Sequence, residues 1–436
     1  MEKEKSKKGL IGILIVIIVL LVCVVGYLLF GNKLLNNKND DTTTKNDNGI
    51  INKDELINKI IIQNNLQDMN DIINENKEFF LKFANAVLNN TNLENYRDRI
   101  FDLYFIIGNK TYLIDEEYFI NSLSKLKIEE KENLNAHGLY YSGQNRLEID
   151  STAKEIDPDA FYNVLYHELL HYLDDNIQPS KYDNKYPLDY YLCNDSFYTF
   201  QEYKNLDSSV KNICINLEYK PYNETLVEGG AESISHKYFN NGFMGTYGTY
   251  VARYELLNIL LGEDDMYKVF FSRLDYKALY KLLVLDKGVD SSYLYSLFKV
   301  MDQSDDSFDN FAYADAVIDI YEDLYNKKWF EDDVFRYAVY SLLYYKVDDN
   351  VFGGSKRAVE YKNNYSSFKN LIKDIKSEIG YGKYKNNYSH QILLHKGNYN
   401  IYMVLSDFNQ DPTHLNIRVH YDFNNKKIID KEVRDL

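Results

Sequence analysis

One short stretch has the residue types and spacing to hold a metal ion and move a proton. In DPDAFYNVLYHELLHYLDD (157–175), His167 and His171 stand four apart, with Glu168 between them. Side chains at i and i+4 of a helix leave one face about a turn apart, so two neutral imidazoles can reach a single ion. Zn²⁺ takes imidazole nitrogens at about 2.0–2.1 Å and suits such a pair. Glu168 follows the first histidine and precedes the second by three, so its carboxylate can approach the same edge. There it can take a proton from an activated water without being a ligand. The surrounding residues predict the helix this needs, over 158–173, with Asp157 as N-cap and Pro158 at the first helical position. Leu165, Tyr166, Leu169, Leu170 and Leu173 make it apolar nearly all round, which predicts burial inside a domain.

Two histidines do not complete a catalytic zinc site, which needs a third protein ligand and an open position. A histidine six residues after His171 would give the metzincin pattern, but that residue is Ile177. A second stretch, NETLVEGGAESISHKYF (223–239), is expected to be helical and carries Glu224, Glu228 and Glu232 at one helical phase. HExxH is carried by zincins, and Glu228-Gly229-Gly230-Ala231 resembles the Glu-Gly-x-Ala helix of the gluzincin type. The resemblance covers 138–150, 157–175 and 223–239. It implies a zinc metallopeptidase in which Glu228 is the third ligand. Glu232 then falls where gluzincins keep a carboxylate that orients a metal-binding histidine. It also implies that the strand expected over 145–150 is an edge strand pairing with the backbone of an extended polypeptide substrate. Gly229 and Gly230 each cost about 1 kcal/mol in a helix interior relative to Ala, so a steric use is expected, close approach to the HExxH helix.

Weaker candidates surround this set. His236 reads as an oxyanion donor or a structural histidine, and Tyr222, Tyr247, Tyr250 and Tyr254 compete for the donor role. His137, His390, His395, His414 and His420 have no ligand partner at useful spacing and read as structural. Asp174 and Asp175 can cap or support the metal helix, and a solvated helix end is the simpler reading. Cys193 and Cys214 lie between the two site stretches, and both a bridge and two separate thiols fit their spacing.

The chain that must position these residues has 436 of them and a formal net charge of −16, without the basic footprint of a nucleic-acid binder. Abundant Asn, Lys, Ile and Tyr match an AT-rich bacterial genome. Residues 9–30 are apolar and uncharged, long enough to cross a bilayer. Lysines cluster upstream, so residues 1–8 read as a cytoplasmic tail, 31–50 as a stalk and 31–436 as extracytoplasmic. Apolar residues at helical spacing fill 54–103 and 250–375. YAVYSLLYY (337–345) reads as core, and alternation from Tyr388 onward predicts a small β unit over 380–436. The expected class is α+β, a mainly helical zincin-like region over 51–375 with a small edge-stranded sheet. A non-catalytic cell-surface binding or adhesion protein on a degenerate zincin scaffold is the alternative.

Overall fold

Apolar and aromatic residues at helical spacing build most of the molecule. A computed structural model describes residues 53–156, 158–177, 190–194, 196–217, 223–239, 248–272, 275–301, 309–347, 355–380, 386–395, 398–406 and 414–435. The expected tail, transmembrane helix and stalk, together with Asp157, Tyr222 and Tyr247, lie outside the described residues. Among the described residues no helix is long and apolar enough to cross a membrane. Residues 1–56 and 57–436 are separate units, and of the first only the start of a helix, Lys53–Gln63, is described.

The N-terminal helices of the second unit follow their hydrophobic spacing. Asn76 accepts a hydrogen bond from the Phe79 amide and starts helix α1 (Lys77–Asn89). Phe79, Phe80 and Phe83 on its inner face gather round the buried ring of Tyr104, with centroids 6.0, 5.1 and 5.4 Å away. A three-stranded sheet follows, β1 (Lys127–Lys131), β2 (Gly138–Tyr141) and β3 (Arg146–Asp150), in the order β1-β3-β2. The strand expected at the edge is therefore the central one. It pairs in parallel with β1 and antiparallel with β2. Glu148 alternates with Leu147 and Ile149, yet its carboxylate is buried. It is satisfied by Arg146, at 3.1 Å, and by the Tyr141 hydroxyl, at 2.8 Å. The edge strands are β1 and β2, of which β2 is the one that packs on the HExxH helix.

The HExxH helix, α2 (Pro158–Asn176), packs against β2 and β3. After it comes a second small sheet, β4 (Tyr190–Cys193), β5 (Ser196–Thr199) and β6 (Cys214–Asn216). Cys193 and Cys214 face each other across the β4–β6 pair, Cα atoms 4.1 Å apart, and form a disulfide. The segment then enters helix α3 (Glu228–Phe239), which lies between α2 and α4 (Gly248–Leu261), with α5 (Glu263–Phe270) beyond.

The remainder is helical until the C-terminus. In α6 (Asp333–Val347) Tyr337, Ala338, Val339, Tyr340, Leu342 and Leu343 are buried, the core role their pattern predicts. Helix α7 (Ala358–Glu378) precedes an antiparallel meander, β7 (Asn386–His395), β8 (Asn398–Ser406), β9 (His414–Asp422) and β10 (Lys427–Asp435). Its β7 strand packs on α4 and α6, and Val251, Leu393 and Tyr402 form a shared buried cluster. The architecture is α+β, mostly helical with small sheets.

Candidate metal centre

Helix α2 is held by the apolar belt its sequence predicts. Leu165, Leu169, Leu170 and Leu173 are fully buried, and the Tyr166 ring stacks on Phe239 of α3 at 3.8 Å. This leaves His167 and His171 on one face, rings 4.7 Å apart and nearly perpendicular.

Helix α3 begins at Glu228, not at residue 223. The preceding residues form a turn pinned by Asn223, whose side chain accepts from the Leu226 amide at 3.0 Å and donates to the Tyr276 hydroxyl at 2.9 Å. Glu224 therefore lies outside the helix and off the phase it was expected to share with Glu228 and Glu232. The glycines also differ from expectation. A Cβ on Gly229 would stand 2.4 Å from the Tyr250 carbonyl oxygen, and one on Gly230 would stand 2.5 Å from the Phe270 ring. Both glycines thus admit α4 and α5 rather than the HExxH helix. On that side Lys237 and Glu255 form an ion pair at 3.0 Å, with side chains 2% and 0% exposed. Glu255 also accepts hydrogen bonds from Ser233, from Asn258 and, at 3.0 Å, from the Leu394 amide of β7.

These two helices bring three donor atoms together. His167 Nε2 is 2.9 Å from Glu228 Oε2, His171 Nε2 is 3.0 Å from His167 Nε2, and His171 Nε2 is 3.5 Å from Glu228 Oε2. Ligands at 2.0–2.1 Å from one tetrahedral ion stand roughly 3.4 Å apart, so the triangle fits an ion of that size. Among the described residues this is the one group of His, Cys, Asp and Glu with such convergence. His167 Nδ1 donates to Glu232 Oε2 at 3.0 Å, which fixes the tautomer that leaves Nε2 facing the other donors.

Burial alone would lower the His167 pKa, but hydrogen bonds to Glu228 and Glu232 outweigh it and push it up to about 10. Burial likewise opposes ionisation of Glu228, yet its bonds to His167 and His171 hold it down at about 2. Glu232 is depressed further, against its burial, by His236 and His167.

Glu168 is buried on the same helix and is not part of the triangle. Burial lifts its carboxyl above the ordinary glutamate range, with the neighbouring histidines opposing. It accepts a hydrogen bond from the Tyr140 backbone amide of β2. A Cβ on Gly138 would lie 2.7 Å from Glu168 Cγ, so only glycine lets the edge strand come this close. Asp175 ties the same hairpin to the helix end, accepting from the Tyr140 hydroxyl at 2.8 Å and the Gly143 amide at 2.9 Å. It supports the end of the metal helix, the less simple of the two readings its position allows.

The other candidates fall into place or fall away. His236 Nε2 is 3.1 Å from Glu232 Oε1 and 4% exposed at its side chain, so it braces Glu232 and is not turned toward a substrate. Tyr254 is buried and packs edge-on against Phe270, while Tyr250 is half-buried beside Gly229. His137 and His420 lie outside the metal group, and the side chains of His390, His395 and His414 are not among those described. The roles of Gly138, Tyr140, Asp175 and Glu255 have no local signature, because each depends on a partner distant in sequence. No protein-family model, curated protein or solved structure matches the chain.

Proposed function

We propose that this chain is a zinc metallopeptidase of the gluzincin type, anchored through residues 9–30 with residues 31–436 outside the cell membrane. The observation that carries this reading is the convergence of His167, His171 and Glu228 beside a separate buried carboxylate, Glu168. His167, His171 and Glu228 would hold the zinc, and Glu232 orients His167. Zinc bound there supplies Lewis acidity, lowering the pKa of a water from ~15.7 towards ~7 and polarising the scissile carbonyl.

The chain's own residues do the rest. Glu168 accepts the proton of the attacking water and passes it to the leaving amine, a task helped by a carboxyl lifted towards neutral pH. Among the described residues β2 pairs only with β3, so its outer edge, beside Glu168, would offer backbone groups to an extended polypeptide, the role that the resemblance implied for 145–150. No covalent intermediate is required. The Cys193–Cys214 bridge supports an extracytoplasmic address, since such bridges persist in oxidising compartments.

The test is Glu168→Gln in the full chain, assayed on fluorescein-labelled casein and a quenched-fluorescent peptide library. Zinc content stays at the wild-type level while cleavage falls by about 10²–10⁴-fold. Cleavage at the wild-type rate would remove Glu168 from the chemistry.

A further inference from the structure

The Glu232 carboxylate gives one oxygen to each of two histidines. Oε2 accepts from Nδ1 of His167 on α2 at 3.0 Å, and Oε1 stands 3.1 Å from Nε2 of His236 on its own helix. The Glu232 and His236 side chains are 14% and 4% exposed, so neither contact is a surface one. Among the described residues these two imidazoles are the hydrogen-bonding partners of Glu232.

The arrangement follows from α3 itself. Residues four apart on a helix stand one above the other, so the His236 ring reaches the glutamate one turn earlier. Glutamate needs such a second contact. Its carboxylate ends a flexible stem, and a single hydrogen bond to His167 would leave it free to pivot. Gripped at both oxygens, it holds the His167 ring from the helix that also carries Glu228. Without the imidazole, Oε1 would be left largely buried with no donor, which is costly enough to turn the carboxylate away. The backbone beneath His236 has supports of its own. Ile234 is fully buried, and Lys237 is paired with Glu255 at 3.0 Å. Loss of the ring thus changes what Glu232 touches and not where α3 lies.

We propose that His236 is a positioning residue of the metal centre, acting through Glu232 to hold His167 with Nε2 toward Glu228 and His171. The inference rests on the zinc reading above. It adds a requirement that neither HExxH nor Glu228-Gly229-Gly230-Ala231 carries, a donor four residues after Glu232. Groups that orient a metal-binding histidine matter by about 10–100-fold in metal affinity. One step further out, the lower end of that range is expected, about tenfold.

The experiment measures zinc dissociation constants of the full chain by competition with a chromophoric chelator. The visible spectrum of the cobalt(II)-substituted protein is recorded beside it, because it reports ligand geometry. His236→Leu weakens zinc by about tenfold and shifts the cobalt bands, while the metal-free protein melts like the wild type. His236→Gln, whose amide can donate to Glu232 across the same turn, recovers both. In a Glu232→Ala background His236→Leu adds no further loss, because the group it acts through is gone. Should the leucine variant melt lower, His236→Asn, polar but too short to reach Glu232, replaces it in the same cycle. Zinc bound by His236→Leu as tightly as by the wild type overturns the proposal. So does an equal loss in the Glu232→Ala background. A wild type that binds no zinc removes the zinc reading and this inference with it. A wild type that binds zinc beside an unaffected His236→Leu removes the inference alone.

Discussion

The two helices that meet at the candidate metal centre are held by different balances of contacts. Helix α2 sits in an apolar belt, where Leu165, Leu169, Leu170 and Leu173 are fully buried. Helix α3 is positioned by what it lacks and by what it pairs with. Gly229 and Gly230 give it contact with Tyr250 and Phe270, and the buried Lys237–Glu255 pair ties it to α4 and β7. Apolar packing is non-directional and tolerates small shifts. A glycine contact and a buried ion pair admit one register. The helix that carries Glu228 is thus positioned by contacts that leave little room for a shift.

The largest expected effect comes from breaking that pair. Lys237→Met leaves Glu255 charged and buried, and should cost about 3–5 kcal/mol in urea unfolding. Adding Glu255→Gln should restore part of the loss. A single-variant cost below about 1 kcal/mol would show that the Lys237–Glu255 pair does not hold α3 in place. Next is Gly229→Ala, whose Cβ would stand 2.4 Å from the Tyr250 carbonyl oxygen. Overpacking of this kind costs about 1–3 kcal/mol, and it should lower zinc affinity as Glu228 moves with the helix. Unchanged stability and affinity would deny the close approach.

The smallest effect concerns protons. The His167 pKa of the metal-free chain is raised from 6.5 to about 10. Its stabilising contribution is fully present below 6.5 and is lost as pH rises through about 10. Zinc binding to this group at pH 7 would then displace that proton. Calorimetry in buffers of different ionisation enthalpy should find about one proton released per zinc. Release of none would mean that the histidine is neutral before the metal arrives.

The difference between the helices also explains what was legible in the sequence. HExxH and its leucines lie within one helix, so spacing alone places His167, Glu168 and His171 on a buried face. Glu228 was reachable through a resemblance, but the reason for its glycines was not, because Tyr250 and Phe270 approach from elsewhere in the chain. The same holds for the edge strand. Glu148 alternates like a solvated residue, and only Arg146 and Tyr141 folding over it reveal a central strand. For Asp175 and His236 the sequence leaves a structural and a non-structural reading open, and the partners that decide for the structural one, the β2 hairpin and Glu232, come from the fold.

Zinc analysis of the full chain beside Glu228→Ala tests the central claim most directly. About one zinc per wild-type chain is expected, and almost none in a variant that melts like the wild type. Equal zinc in both proteins, or none in a wild type purified with zinc supplied, would contradict the site assembled from α2 and α3.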